Sequence, residues 1–243
     1  NDAIIVGPYK YEIPVLADLG GDTGETFTPA GGIMLTPSDL NPQKILIDKE
    51  PAGAVKTGDR FSAPIFGIMT YNFSNFKINP ESLPAVIPGT YSRETTSLAP
   101  AADRLNVATF NVENFWNDPG DSTRIGRVGK AIAENLQSPD IVALVEIQDN
   151  NGASNGSTND GITDASQSYQ ALIQAIAANG GPQYAFTDIA PEYGKDGGAP
   201  GGNIRVGYIY NPARVSLTNK PKGDAVTAVA FGPEGLTLNP GRI

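Results

Sequence analysis

The side chains best suited to chemistry are two polar residues that interrupt or end apolar segments of the chain. Glu146 lies within the segment IVALVEI, residues 141–147. An ionised carboxylate in such a segment is costly unless it is paired or bound to a metal. Carboxylate oxygens are also the ligands that Mg²⁺, Mn²⁺ and Ca²⁺ prefer, so metal binding is one interpretation. The alternative is that the strand end is exposed and Glu146 is solvated.

Asn111 is the second candidate, and it lies near the end of the apolar segment LNVATFNV, with Glu113 and Asn114 beside it. Ligands bind at the carboxyl ends of strands in α/β sheets. An Asn amide can both donate to and accept from a phosphate or a water molecule. The alternative is that Asn111 only forms a turn, which is the common task of Asn at a strand end.

Two loops and one arginine offer weaker signals. Residues 148–163 include Asp149, Asn150, Asn151, Asn159 and Asp160, whose side chains offer oxygen ligands. Their spacing does not fit an EF-hand, so we favour a flexible surface loop over a calcium site. Residues 194–203 are rich in Gly and could approach a phosphate closely, although they lack the strand-to-helix context of a P-loop. Arg205 follows them, either as a phosphate ligand or in a surface salt bridge.

The composition excludes several kinds of chemistry. The 243-residue chain has no histidine and no cysteine, which excludes a Ser-His-Asp triad, a His-ligated metal, disulfides and a Cys nucleophile. With 17 basic and 26 acidic residues the net charge is -9, so a broad basic surface for nucleic acid is not expected. A small basic or metal-containing site stays possible. No segment approaches the ~20 apolar residues of a membrane span.

Strands and helices alternate through residues 104–243, where the candidate residues lie. A strand at 105–112 precedes a helix that begins at Ser122 or Thr123. The helix has an amphipathic stripe of Ile125, Val128, Ile132 and Leu136. The segment 141–147 is apolar enough to predict a strand buried on both faces. This alternation predicts a layered α/β domain.

A second helix is predicted to follow, capped by Asp164 and ended by Asn179 and glycines. Its apolar positions are Tyr169, Leu172, Ile173 and Ile176. Two further strands, YAFTDI and IRVGYIY, begin at Tyr184 and Ile204, and RVSL from Arg214 is a candidate third.

Residues 1–90 show a different pattern, with short β-branched and aromatic segments separated by Gly, Pro and Asp. They predict an all-β module, a small barrel or sandwich. Its aromatic residues Tyr71, Phe73 and Phe76, with Lys77, could bind a nucleic acid strand. We expect the aromatic residues in the core instead, because alternate strand positions face inward. Residues 91–103 lose all periodicity and read as a linker.

Four segments together resemble the first half of the endonuclease/exonuclease/phosphatase family, which has the deoxyribonuclease-I-like fold. They are LNVATFNVENF, SPDIVALVEIQDNNG, DASQSYQALIQAI and GGNIRVGYIYNPARVSL. The nearest look-alikes are large bacterial extracellular nucleases. More loosely, GDRF and GIMTYNFSNFKI resemble the OB-like module that precedes their catalytic domain. The predicted fold is thus mixed α+β and α/β, with an OB-like module at 1–90, a linker at 91–103 and a partial α/β sandwich at 104–243.

The resemblance implies roles for five residues. Glu146 would be the metal-binding glutamate, and Asn111 would help to position the metal-bound scissile phosphate. Asn114, Arg205 and Tyr210 would lie near the substrate. The implied cofactor is a divalent metal, with Mg²⁺ first and Mn²⁺ or Ca²⁺ as alternatives.

The chain departs from the family pattern in one respect. The family also needs a catalytic His with its partner Asp, an Asp-x-Asn pair and a closing Asp-His, whereas this sequence has no histidine. We therefore expect a fragment of a secreted or cell-surface nuclease, inactive without the half that carries those residues, whether cut off or supplied by another chain. The alternatives are a non-catalytic part of a larger extracellular assembly, and a phosphomonoesterase or lipid-headgroup phosphodiesterase of the same fold.

Overall fold

The chain forms two compact units, Asn1–Glu94 and Thr95–Ile243, in a computed structural model. The division falls within the predicted linker. The structure describes residues 3–9, 11–16, 27–29, 31–51, 53–153, 160–195, 198–218, 224–232 and 235–240. The protein is mixed α/β and rich in strands, as the sequence predicts at that level, with few helices among the described residues. The finer OB-like and deoxyribonuclease-I-like arrangements stay predictions.

The N-terminal unit contains one seven-stranded sheet. Its strands are β1 (Ile4–Ile5), β2 (Ile13–Leu16), β3 (Lys44–Ile47), β4 (Arg60–Phe61), β5 (Gly67–Asn72), β6 (Asn75–Pro80) and β7 (Val86–Ile87). They lie in the order β5-β6-β3-β2-β1-β4-β7, and the pairing is antiparallel except between β3 and β6. The core beneath them is formed by Ile5, Ile13, Val15, Ile47 and Phe61.

The expectation that the aromatic residues of β5 and β6 belong to this core is wrong. Tyr71, Phe73 and Phe76 are all exposed, because the β5–β6 hairpin extends to the end of the sheet. Lys77, the residue after Phe76, is buried instead of exposed. Its side chain forms an ion pair with Glu12, which satisfies the charge inside the unit. Lys77 is therefore not free to bind a phosphate.

The C-terminal unit is built from a four-stranded sheet, two helices and a strand pair. Its elements are β8 (Val107–Phe115), α1 (Ser122–Lys130), β9 (Ile141–Ile147), α2 (Ser166–Ala178), β10 (Ala185–Asp188), β11 (Arg205–Tyr210), β12 (Thr227–Gly232) and β13 (Gly235–Pro240). The sheet order is β10-β11-β9-β8, and β8 runs parallel to β9. Strands β12 and β13 pair with each other. The predicted strand from Arg214 is wrong, since Arg214 ends a turn that begins at Asn211.

Both helices cover one face of the sheet. α1 begins after Asp121, whose carboxylate accepts a hydrogen bond from the Arg124 N–H, so the cap lies just before the predicted one. A π-helical turn, Ala131–Asn135, extends α1. Gly129 lets the helices touch, since a Cβ there would lie 2.6 Å from that of Ala175. In α2, Asp164 accepts from the Ser166 N–H one position before the observed cap, Ala165.

The apolar positions of α2 and of β9 meet in one core. The predicted residues Tyr169, Leu172, Ile173 and Ile176 are all buried there, together with alternate residues of β9 and β11. Burial along β9 alternates, so the expectation of burial on both faces is wrong. On the other face of the sheet Val107, Val206 and Tyr208 are exposed. No helix among the described residues is long and apolar enough to cross a membrane.

Candidate functional site

The parallel pairing of β8 and β9 brings two strand ends to one edge of the sheet. Asn111 of β8 lies opposite Val145 of β9, one residue before Glu146. A helical crossover joins the two strands, so their carboxyl ends point the same way. The two residues that the sequence singled out are therefore neighbours, although 34 residues separate them along the chain.

Both strands bulge at this level. The β8–β9 register shifts between Asn111 and Phe115, and the β9–β11 register shifts next to Glu146. Three residues have left-handed backbone here, Glu113 (φ 54°), Asn114 (φ 51°) and Glu146 (φ 68°). A non-glycine residue in that region is strained, and bulges redirect side chains. The bulges turn the side chains of this edge away from the regular sheet pattern.

The Glu146 carboxylate is held by two neutral donors. The Asn111 side-chain amide donates to one oxygen at 2.7 Å, and the Asn114 backbone N–H donates to the other at 3.1 Å. The amide oxygen of Asn111 accepts from the Glu113 N–H at 2.8 Å. Glu146 is half-buried, whereas Asn111 and Asn114 are exposed. The carboxylate is therefore fixed in orientation and open to solvent.

Arg124 of α1 supports the β8 bulge from beneath. Its guanidinium donates to the Val112 carbonyl at 2.8 Å and also to the Glu113 carbonyl. It lies over the Phe115 ring, 6.0 Å from the ring centre. The bulge has carbonyls that the regular ladder no longer satisfies, and a charged donor meets them. Nothing in the sequence distinguishes Arg124 from Arg127 of the same helix for this contact.

Gln148 supports Asn114 from the other side. Its buried amide donates to the Asn114 side-chain oxygen at 3.0 Å and accepts from the Ala153 N–H at 3.2 Å. Gly202 packs directly on it, since a Cβ at that position would lie 2.6 Å from the Gln148 amide nitrogen. A glutamine directly after a strand carried no recognisable signal in the sequence.

Asp149 organises the loops behind the site. It is fully buried and accepts from the Asn203 amide at 2.8 Å and from the Gly152 N–H at 2.8 Å. Burial raises the pKa of this carboxyl group, and the hydrogen bonds from Asn203 and the backbone oppose that shift. Asn203 in turn accepts from the Gly194 N–H and donates to the Ile162 carbonyl. The two loops of the sequence prediction are thus tied together around Asn203 by protein contacts.

The other oxygen ligands of residues 148–163 are also used within the protein. The Asn150 amide donates to Asp164 at 2.8 Å, and the Asn151 amide donates to Asp160 at 2.7 Å. Asn159 lies outside the described residues. These contacts order the described part of the loop around α2 and do not point to the calcium site.

Arg205 lies at the same edge of the sheet, but its side chain is buried. It pairs with Asp188 at 3.1 Å and donates to the Asn203 carbonyl at 3.0 Å. This is a buried ion pair instead of the surface salt bridge that the sequence suggested. Its donors hold β10 and the Asn203 loop against β11.

Tyr210 lies at the opposite end of the sheet. It pairs with Ile141 at the start of β9 and with Ala185 of β10, five residues along β11 from Arg205. At roughly 3.3 Å per residue this separates it from the Glu146 edge by about 16 Å. The structure therefore brings together Asn111, Asn114 and Glu146, and leaves Tyr210 apart.

The donor set at this edge fits one kind of cation. Among the residues described, no group of three or more His, Cys, Asp and Glu side chains could hold a metal ion. Glu146 contributes a single oriented carboxylate, whereas the amide oxygens of Asn111 and Asn114 accept hydrogen bonds from the Glu113 N–H and from the Gln148 amide. Mg²⁺ is bound by one or two carboxylates and keeps several waters, so this arrangement fits Mg²⁺ better than a cation that needs a full protein cage.

Comparisons with known proteins bear on the N-terminal unit alone. A family model described as a domain of unknown function (DUF8508) matches residues 1–88. No curated protein and no solved structure matches the chain. The matched segment does not include Asn111 or Glu146, so the assignment of the candidate site is supported by its geometry alone.

Proposed function

We propose that the C-terminal unit belongs to a metal-dependent phosphodiesterase that hydrolyses nucleic acid. One observation carries the proposal. The Glu146 carboxylate is fixed by Asn111 and by the Asn114 N–H at the carboxyl edge of two parallel strands, where both strands bulge. A carboxylate that is oriented, solvent-accessible and held only by neutral donors is suited to a divalent cation.

Glu146 and Asn111 would hold the metal, with Mg²⁺ as the first candidate and Mn²⁺ or Ca²⁺ as alternatives. When bound, the cation supplies charge stabilisation for the phosphoryl oxygens. Asn111 has a second amide N–H beyond the one that donates to Glu146, and this N–H can donate to a phosphate oxygen. Asn114 orients Glu146 through its backbone and is exposed beside it, within reach of substrate.

Arg205 and Tyr210 have different tasks in this proposal. The guanidinium of Arg205 is engaged by Asp188 and the Asn203 carbonyl, so it positions loops without touching phosphate. Tyr210 lies at the far end of β11, and we leave it out of the site.

Two further observations support a catalytic unit that needs additional residues. The chain contains no histidine, so in this proposal the general base that the resemblance implies would be supplied by residues outside this sequence. One face of the four-stranded sheet exposes Val107, Val206 and Tyr208. A second sheet that carries the histidines would cover that face and form a deoxyribonuclease-I-like sandwich. An OB-like N-terminal module and a location outside the cell or at its surface complete the proposal.

The first test is metal binding by the chain itself. Titration with Mn²⁺, followed by electron paramagnetic resonance, is expected to show one site that Mg²⁺ displaces. Glu146→Gln should weaken binding by at least about tenfold, because an amide replaces the charged ligand. Glu134→Gln is the control, since this exposed carboxylate lies on the π-helical turn. Equal loss in both variants would contradict the assignment.

The second test is cleavage. The chain alone is expected to be inactive on DNA and RNA, and a polypeptide extended to include the histidine-bearing half should cleave one of them. Chelator should abolish that cleavage, and so should Glu146→Gln. Chelator-insensitive cleavage would contradict the proposal. If the extended polypeptide hydrolyses only a phosphomonoester or only a lipid headgroup, the substrate of the site is that compound class and not nucleic acid.

A further inference from the structure

The β5–β6 hairpin of the N-terminal unit has an unusual apolar surface. Residues 66–76, called here the apolar hairpin, contain six large side chains that are mostly exposed. Their exposed fractions are Phe66 78%, Ile68 77%, Met69 70%, Tyr71 63%, Phe73 88% and Phe76 69%. Contiguous apolar surface of this kind marks interaction sites in soluble proteins.

The turn of the hairpin keeps an aromatic residue at its tip under strain. Phe73 and Ser74 form a two-residue connection with φ values of 44° and 63°. Such turns favour Asn and Gly, and a bulky residue with positive φ is an outlier. The Asn75 amide donates to the Phe73 carbonyl at 2.8 Å and stabilises the turn. Strain of this kind occurs at functional positions. The strained and exposed Phe73 therefore indicates that the tip of the hairpin contacts a binding partner.

No strand among the described residues pairs with the outer side of β5. β5 is the terminal strand of the seven-stranded order, and it pairs with β6 from Gly67–Pro80 to Asn72–Asn75. In a hairpin with a two-residue turn the pair that flanks the turn exchanges hydrogen bonds, and the pattern alternates from there. The N–H and C=O groups of Gly67, Met69 and Tyr71 therefore point away from β6. An exposed edge of this kind is a template for another strand.

The lack of charged side chains in the hairpin limits the classes of partner that can bind it. Residues 66–76 contain no Asp, Glu, Lys or Arg, and the adjacent Lys77 is neutralised by Glu12. A nucleic acid would find no free cation here for its phosphates. A lipid surface would cover the side chains but would leave the outer N–H and C=O groups of β5 without partners. An uncharged, apolar β-strand satisfies both the side chains and the backbone.

We propose that β5 pairs antiparallel with β5 of a second copy of this chain. Of the antiparallel registers related by a two-fold axis, only one pairs all three outward-pointing residues, and in it Met69 lies opposite the partner's Met69 and Gly67 lies opposite the partner's Tyr71. This register joins the two seven-stranded sheets into one. It also places Met69, Tyr71 and Phe76 on the same face as their counterparts, because Met69 and Tyr71 are two residues apart in β5 and Tyr71 pairs with Phe76, with ring centres 4.8 Å apart.

The available area suits a dimer. The six exposed side chains present on the order of 900 Å² per copy if each contributes roughly 200 Å² when fully exposed. Stable interfaces of standard size bury about 800 Å² per partner. Pairing of two edge strands covers part of this surface, because side chains of successive residues lie on opposite faces of the hairpin. The apolar hairpin is the same patch on both subunits, as a two-fold interface requires.

Sedimentation velocity over a concentration series tests the pairing. The chain is expected to form a dimer that dissociates on dilution. Met69→Lys places two like charges opposite each other at the axis, and Met69→Pro removes an outward N–H without touching the β5–β6 ladder. Each should raise the dissociation constant by at least about tenfold. Circular dichroism should match that of the unchanged chain, because Met69 is exposed.

Leu40→Lys is the matched control, since Leu40 is an exposed apolar residue of the same unit outside the hairpin. It should leave the dissociation constant unchanged. A chain that stays monomeric at every concentration, or an equal effect of Met69→Lys and Leu40→Lys, overturns the proposal. A monomer that co-sediments with phosphatidylcholine vesicles also overturns it and assigns the hairpin to a lipid surface. Larger assemblies without a dimer exclude the closed two-fold pairing.

Discussion

Strand β9 has a carboxylate near each of its ends, and the two are treated differently. Asp140, directly before the strand, is buried and accepts from the Arg214 guanidinium at 2.9 Å and from the Asn106 N–H at 2.9 Å. Glu146, near the other end, is half-buried and accepts from Asn111 and from the Asn114 N–H. No ion pair to Glu146 occurs among the described residues.

The difference separates a structural carboxylate from one that can bind a ligand. Arg214 neutralises Asp140 and ties the start of β9 to the carbonyls of Ala101 and Arg104. At the Glu146 end the donors are neutral, so the carboxylate keeps its net charge while its orientation is fixed. The backbone differs too, because β9 begins in regular pairing and ends in a bulge. Strained backbone and an unneutralised charge coincide at the end we assign to function.

Asp140→Asn is expected to give the largest loss of stability. The amide can accept from only one of its two donors, and Arg214 loses its counter-charge. We expect the free energy of unfolding to fall by about 2–3 kcal/mol. Urea unfolding at neutral pH measures the change, and a loss no greater than that of Glu146→Gln would contradict the contrast between the two ends.

Acid should remove the contribution of Asp140. The hydrogen bond from Arg214 holds the pKa of Asp140 below its ordinary value of 3.8. The folded protein therefore binds this proton less readily than the unfolded chain does, and the stabilisation is present above that value and lost as the pH falls below it. The stability difference between the unchanged chain and Asp140→Asn should shrink in urea titrations below about pH 4. A constant difference would contradict this.

Arg124→Gln is expected to have an intermediate effect. It removes the charged donor to the Val112 and Glu113 carbonyls, so the β8 bulge should loosen and stability should fall by about 1 kcal/mol. Mn²⁺ affinity should fall as well, because Asn111 and Asn114 border that bulge. Arg127→Gln is the matched control, being an exposed arginine of the same helix. Equal effects of the two variants would show that the bulge does not depend on Arg124.

Glu146→Gln is expected to change stability least, by less than about 0.5 kcal/mol, because the side chain is open to water. The same change should have the largest effect on metal binding. Urea unfolding in the presence of chelator measures the stability. A destabilisation as large as that of Asp140→Asn would assign Glu146 a structural role.

The fold was partly predictable where local pattern and tertiary context agree. The segment 141–147 was identified with its observed bounds, because a continuous apolar run between a Pro-Asp stop and a polar loop is a local signal. The buried stripe of α2 was likewise correct. Burial of β9 on both faces was wrong, since periodicity reports only that a strand is apolar.

The hairpin shows the limit of the alternation rule. Tyr71, Phe73 and Phe76 were expected in the core because alternate positions of a strand face inward. That rule assumes a layer on the inner face, whereas β5 is the terminal strand. Lys77, a surface residue by type, is buried because Glu12 lies within reach. Both outcomes depend on strand order, which short strands with similar composition do not encode locally.

Some residues of the candidate site were also recognisable from the sequence, and others were not. Asn111 and Glu146 were recognisable because each is a polar residue at the end of an apolar strand. Arg124, Gln148 and Asn203 were not, because their tasks depend on contacts with carbonyls and amides distant in sequence. Arg205 was noticed for its position after a Gly-rich loop, yet its partner Asp188 was not, since antiparallel register alone brings them together.

By itself the sequence determined that chemistry here must use carboxylates, amides, hydroxyls or basic side chains, because it contains neither imidazole nor thiol. It also determined the apolar strand segments near whose ends Asn111 and Glu146 lie. The tertiary structure decided which carboxylate is neutralised and which stays available, because only the pairing of β8, β9 and β11 sets the donors around each. It likewise decided that the aromatic residues of the hairpin face solvent, since that depends on whether another part of the molecule packs on the faces of the hairpin.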